Sequence, residues 1–237
     1  MAHTLTATSE RSLALDNPVW SALTSDHTRF AEGDALARRY HPAVTPLAAI
    51  RDQSAEAYRA LARLLGPGGV AGLLFDDPPA PPATWTTLRA VPLAQMVCST
   101  PTPSTRQEAI ERLGAAAVPA MIELAALTEP GPFGPRTWEL GTYLGIYKSG
   151  QLVAMAGERV RCAGFAEISA VCTHPDHQGR GYAAVLMSVL MREMAARGET
   201  PFLHVRSDNA VAIRVYERLG FTLRRVIDLA VLQAAVA

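Results

Sequence analysis

The stretch Gln178-Gly179-Arg180-Gly181-Tyr182-Ala183 places two glycines at the turn into an apolar helical run. Glycine lets a ligand come close to the main chain. The first N–H groups of a helix have no internal partner, and the helix dipole adds partial positive charge. Together these suit a phosphate or pyrophosphate, and Arg180 adds a cation. Upstream, Glu167 offers a carboxylate that can accept a proton. Downstream, Asn209 and Tyr216 are seven residues apart and share one face of a helix.

Competing chemistries fit less well. Gly179-x-Gly181-x-x-Ala184 matches a loose dinucleotide fingerprint. However, residues His174 to Gln178 separate the glycines from the preceding strand, and the next strand, Pro201 to Val205, ends on Arg206 instead of an acid. Cys172, His174 and His177 fit no zinc spacing, so no metal is expected. Cys172 as a nucleophile has no histidine clearly placed as its base.

These residues need elements to hold them. Phe165 to Thr173 reads as a strand, with Phe165, Glu167, Ser169, Val171 and Thr173 expected on one face. A polar turn around Pro175 follows. Ala183, Leu186, Met187, Leu190, Met191 and Met194 recur at helical spacing until Gly198. Thr142 to Lys148 and Gln151 to Arg161 form a hairpin through Ser149-Gly150, giving an antiparallel meander with the next strand. A meander is not the alternation of a doubly wound sheet.

In the first half, Asn17-Pro18 starts a short helix through Leu23. Ala35 to Tyr40, Leu47 to Ile50, Val70 to Phe75 and Val91 to Cys98 read as strands. Ser54 to Leu65 reads as a helix ended by Gly66. Residues up to Asp16 read as loose. Pro101 and Pro103 mark Thr100 to Thr105 as a boundary between domains 1–100 and 106–237. A short strand at Ala109 to Leu113 follows. Next comes a helix, Ala116 to Leu127, with Val118, Met121, Ile122, Ala125 and Leu127 as its apolar face.

The pattern Gln178-x-x-Gly181-x-Ala183, after a strand and a proline turn, resembles the acyl-CoA-binding loop of the GCN5-related N-acetyltransferases, the GNAT superfamily. Asn209-Ala210-x-Ala212-x-x-x-x-Tyr216-x-x-x-Gly220-Phe221 is similar to that family's last helix and following strand, most of all in the FR47-like branch. The resemblance covers about Ile110 to the C-terminus. It implies the α/β (α+β) GNAT fold, a mixed, largely antiparallel sheet flanked by helices. That branch includes the glycine N-acyltransferase type, in which a degenerate acetyltransferase-like half precedes the working one. The first half here is either such a copy, lacking the glycine loop, or a plain structural domain.

The implied activity is acyl transfer, most simply of acetyl from acetyl-CoA, to a primary amine of a small molecule or amino acid by direct attack in a ternary complex. An alkyl ammonium of pKa about 10 is neutral in roughly one molecule per thousand at pH 7, a deficit of about 4 kcal/mol. The resemblance assigns proton removal to Glu167 and protonation of the leaving sulfur to Tyr216. It gives the co-substrate to Gln178, Gly179, Arg180, Gly181, Tyr182 and Ala183 at its phosphates, and to Asn209 on the pantetheine arm. Val171, Cys172 and Thr173 line it from the strand, with a main-chain N–H of Val171 or Cys172 on the thioester carbonyl. His204 and Arg206 either line the acceptor pocket or are solvated. Pro130 to Glu139 occupies the place where the family shapes that pocket. A silent acyl-CoA-binding module would need the loop but neither Glu167 nor Tyr216.

Composition agrees with this. Lys plus Arg and Asp plus Glu number 22 each, so no global field favours nucleic acid or a membrane surface. No run is long and apolar enough to span a bilayer, and Met1 to Arg11 has no hydrophobic signal core. The three cysteines are scattered, as in a reduced, cytoplasmic protein. A monomer or homodimer is expected.

Overall fold

A computed structural model describes residues 13–236. Most of the stretch read as loose therefore lies outside the described residues. Asp16, at its end, is fixed by an ion pair to Arg224. The first helix, α1 (Pro18–Thr24), is capped by Asn17, whose side chain accepts from the Trp20 N–H. β1 (Ala31–Gly33), β2 (Ala37–Tyr40) and β3 (Ala48–Ile50) form a small antiparallel sheet. The helix α2 (Ala55–Leu65) is capped by Ser54 and buries Ala57, Tyr58 and Leu61 on one side.

An eight-stranded sheet has the order β4-β11-β5-β10-β9-β8-β7-β6. Its first-half members are β4 (Val70–Phe75) and β5 (Trp85–Val97). The others are β6 (Glu111–Arg112), β7 (Tyr143–Lys148), β8 (Gln151–Cys162), β9 (Phe165–Thr173), β10 (Thr200–Arg206) and β11 (Thr222–Ala234). Thr100 to Thr105 is irregular chain, yet the hydrogen-bonded sheet continues across it. β11 is the reason, since it pairs with β5 on one edge and β4 on the other. β5 starts at Trp85, well before the expected Val91, because β11 partners it as far as Ala234↔Trp85. The strand–helix–strand unit of the first half meets at a single parallel bridge, Leu47↔Gly72.

Helices cover both sheet faces. On one, α4 (Tyr182–Ala196) sinks Leu186, Met187, Leu190, Met191 and Met194 against Ala166, Ile168 and Leu203. On the other, α1 packs Val19 and Leu23 against Phe165, Phe202 and Ile227. Beside it lies α3 (Val118–Thr128), which buries Met121, Leu124 and Ala125. The expected α3 face was partly misplaced, because Ile122 and Leu127 are exposed. At 3.6 residues per turn they fall off the stripe that Met121, Leu124 and Ala125 define. The last helix is α5 (Ala210–Arg218). Among the described residues no helix is long and apolar enough to cross a membrane.

Candidate active site

The sheet opens at its centre. β9 and β10 are its parallel pair, joined through α4, and they pair only at Thr200↔Phe165, Pro201↔Ala166 and Phe202↔Glu167. Beyond these positions both strands continue unpaired to each other, which leaves a wedge between them. A bulge in β9 lies at the wedge. Met155 pairs with Cys172 and Gly157 with Ser169, so Ala156 faces both Ala170 and Val171. Ala170 takes a left-handed φ of 52°. A bulge bends its strand and removes a residue from the ladder.

The bulge corrects the expected face of β9. Phe165 packs with the α1 cluster, Val171 with the α4 cluster, and Ala170 and Cys172 with the α3 cluster. Alternation therefore shifts by one after Ser169. Val171 sits at the interruption, Cys172 resumes pairing with Met155, and Thr173 pairs with Ala154.

The glycine loop lies at the open end of β9. Pro175–His177 makes one 3-10 turn, and Gly179 and Gly181 take φ of 74° and 80°. The first backbone bond of α4 runs from the Val185 N–H to the Gly181 carbonyl, so the N–H groups of Tyr182, Ala183 and Ala184 precede the ladder. Gln178, Gly179, Arg180 and Gly181 are exposed. Arg180 spends one donor on the Asp176 carbonyl. The Tyr182 side chain is buried under Lys148, which leaves its main chain to face the site.

The boundary segment closes one side of this loop. Arg106 donates to the Arg180 carbonyl at 3.0 Å, and Ser104 N–H donates to the Ser188 hydroxyl at 2.8 Å. Arg106, Arg218, Gly181 and Ala184 border a pocket of about 310 Å³. Reading this segment only as a boundary missed Arg106. A cation after a proline-rich stretch was the available signal.

Asn209 is the exposed N-cap of α5, and Tyr216 lies within α5, packed against the α4 cluster. The Asn209 carbonyl oxygen caps α5 at the Ala212 N–H, so its amide group remains for a ligand. Burial, then the nearby Cys172, pushes the Tyr216 phenol up to about 12. Tyr216 therefore keeps its proton at neutral pH. Among the described residues its hydroxyl has no hydrogen-bond partner, and its ring packs edge-on against Phe221. The Cys172 thiol is pushed up to about 11 by burial, which makes it a poor nucleophile at neutral pH.

Glu167 is placed differently from the expectation. It is 0% exposed. Arg159 of β8 grips both its oxygens, at 2.6 and 2.9 Å, and His204 Nδ1 lies 2.7 Å from Oε1. Burial alone would raise its pKa, but Arg159 and then His204 outweigh this and hold it at about 2. A carboxylate so sequestered and so weakly basic is poorly suited to take a proton from an ammonium. The His204 side chain is also buried, at 1% exposed. Gln95 fixes its tautomer. The Gln95 amide nitrogen donates to the Leu15 carbonyl and its oxygen accepts from Arg224, so the amide cannot be flipped. Its other N–H then points at His204 Nε2, 3.1 Å away, which must accept. His204 Nδ1 therefore donates to Glu167. Arg206 instead forms an exposed pair with Asp208.

Tyr143 escaped the sequence reading. Its ring lies on Gly157, where a Cβ would sit 2.3 Å from it. Its hydroxyl is buried with no partner among the described residues. No metal-binding group of His, Cys, Asp or Glu occurs among the described residues.

A family model described as FR47-like protein matches residues 143–228, the span from β7 through the glycine loop and Tyr216 into β11. A solved structure from Novosphingobium aromaticivorans, assigned to the GNAT family of acetyltransferases, is 41% identical and superposes with a TM-score of 0.86 over 93% of this chain and 98% of that one. The mycothiol acetyltransferase of Mycobacteroides abscessus is 44% identical over 61 residues, 25% of this chain and 21% of that protein. The [ribosomal protein bS18]-alanine N-acetyltransferase of Salmonella typhimurium is 44% identical over 59 residues, 23% of this chain and 40% of that protein. The match thus spans less than half the length of either curated relative. The chain belongs to the GNAT family.

Proposed function

We propose that this protein transfers acetyl from acetyl-CoA to a primary amine of a small molecule or amino acid. The observation that carries this reading is the wedge between β9 and β10, with the α4 N-terminus at one end and the protonated Tyr216 beside Cys172. The phosphates lie on the N–H groups of Tyr182 to Ala184, with Arg180 as counter-ion. The pantetheine arm runs past the free amide of Asn209 into the wedge. The thioester carbonyl meets the main chain at Val171 or Cys172, beside the bulge. The neutral amine attacks the carbonyl carbon, the new N–C bond forms, and the C–S bond breaks. Tyr216 gives its proton to the departing sulfur, and the proton on the new amide nitrogen leaves to water. Glu167 acts as the buried anion that sets Arg159 and His204, and the ammonium is deprotonated by solvent.

One observation favours a silent acyl-CoA-binding module. With Glu167 sequestered, Tyr216 remains the acid–base group of the expected pair at the wedge. Amine-dependent thiol release from acetyl-CoA by wild type decides between the two readings, and Tyr216→Phe then tests the acid. That substitution removes one hydroxyl and keeps the ring, so CoA affinity and melting temperature should stay near wild type. Single-turnover acetyl transfer should slow by roughly ten- to a thousandfold, in line with general-acid contributions. The loss should shrink with an acyl thioester whose thiol is more acidic. Full turnover in the variant would make Tyr216 a packing residue.

The buried, unpaired Cys98, Cys162 and Cys172 fit a reducing compartment, and we place the protein in the cytoplasm. It works as a monomer or homodimer, without a metal.

A further inference from the structure

A second pocket, of about 400 Å³, is lined by Arg29, Phe30, Arg136, Trp138 and Glu139. Its walls come from distant parts of the chain. Arg29 and Phe30 lie on the 3-10 turn Thr28–Phe30 of the first half, and Trp138 and Glu139 on the turn Thr137–Leu140. The Thr137–Leu140 turn is tied to a neighbouring loop of the first half. The Arg136 N–H donates to the Ala43 carbonyl at 3.0 Å, and the Thr137 hydroxyl donates to the Val44 carbonyl.

The charges in the pocket do not cancel. Arg136 holds the Glu139 carboxylate through two hydrogen bonds of 2.8 Å each. Arg29 reaches only the Glu139 main-chain carbonyl, at 3.4 Å, and forms no ion pair among the described residues. Its guanidinium rests on the Phe30 ring, 4.5 Å from the centroid, which fixes its plane while leaving donors free. One guanidinium is thus presented without a paired carboxylate, stacked on a phenyl ring in a pocket that an indole also lines. A guanidinium fork of this kind matches a carboxylate.

Trp138 links the pocket to the core under the bulge, because it packs against the buried cluster to which Ala170 and Cys172 of β9 belong. We propose that the acceptor is an amino-acid-like molecule whose carboxylate pairs with Arg29, whose side chain lies against Trp138 and Phe30, and whose amine faces β9. The first half of the chain thereby supplies the acceptor's anion site. This inference deepens the acetyltransferase reading and names the acceptor class.

The test compares two matched pairs of probes, L-phenylalanine with 2-phenylethylamine and glycine with methylamine, on wild type and Arg29→Gln. Arg29 is exposed, so the variant should fold. Titration by NMR without CoA should show saturable binding of the amino acids to wild type. That binding should weaken roughly ten- to a hundredfold in Arg29→Gln, as expected for a lost charged hydrogen bond. With acetyl-CoA present, the preference for each amino acid over its matching amine should fall by the same factor, through KM. Equal binding of the amino acids to both proteins, or no saturable binding to wild type, overturns the proposal. Arg29-dependent binding without any acetyl transfer would leave the pocket standing and remove the catalytic reading instead.

Discussion

Glu167→Gln is expected to lower unfolding stability by about 3–5 kcal/mol, the usual cost of removing one partner from a buried ion pair. The substitution keeps the shape but removes the charge that neutralises Arg159, whose side chain is only 13% exposed. The glutamine oxygen can still accept from His204 Nδ1, but the new NH2 group then faces the Arg159 Nε–H, a donor against a donor. Urea unfolding at pH 7 measures the loss. The same ion pair sets a pH dependence in wild type. The folded pKa of Glu167 is lowered from 4.5 to about 2, so its stabilisation is fully present above pH 4.5. It is lost as pH falls from there toward 2, and amounts to roughly 3 kcal/mol at most. The variant should lack that component of acid sensitivity. Its surviving activity should keep the wild-type shape of rate against pH, rising with the fraction of neutral amine. Unchanged stability together with a lost rising limb would return Glu167 to the role of proton acceptor.

Gly181→Asp should leave the fold standing and weaken CoA binding at least a hundredfold. The residue sits at the N-cap of α4, where an aspartate is a favourable helix start. That gain offsets some of the strain of a side chain at φ 80°. The new Cβ would meet Arg106 Cδ at 3.1 Å, the flexible part of a long side chain, which can move aside. The carboxylate then occupies the place of a phosphate. Two like charges about 4 Å apart near a surface repel by roughly 4 kcal/mol. Calorimetry in EDTA, beside a thermal melt, separates the two effects. Undiminished affinity in a folded variant would move the phosphates away from this loop.

Legibility in the sequence followed the range of the interactions. The glycine loop, α4 and the Ser149-Gly150 hairpin depend on local rules, glycine conformation and apolar period, and they fold as read. Asn209 and Tyr216 come together on α5 for the same local reason, the first as its N-cap and the second within it. The bulge at Ala170 was hidden, since alanine carries no mark of a left-handed φ. Its effect was to turn Val171 away from the face of Glu167. The burial of Glu167 depends on Arg159 and His204, which come from neighbouring strands whose register single-sequence reading does not provide. Arg159 did leave a trace, as a charged residue inside an apolar strand. The joining of the halves through β11 was equally hidden, because both its partners lie more than a hundred residues upstream. Arg29 had no signal beyond its charge, since its aromatic support and its facing loop meet only in the folded chain.

The most direct measurement of the central claim is thiol release from acetyl-CoA in EDTA, followed with and without a primary amine, with the product identified by mass spectrometry. The proposed chemistry predicts thiol release that depends on the amine, saturates with acetyl-CoA, and matches the acetylated amine mole for mole. Saturable acetyl-CoA binding without amine-dependent thiol release, across the amino acids and amines named above, would contradict it and leave a binding module.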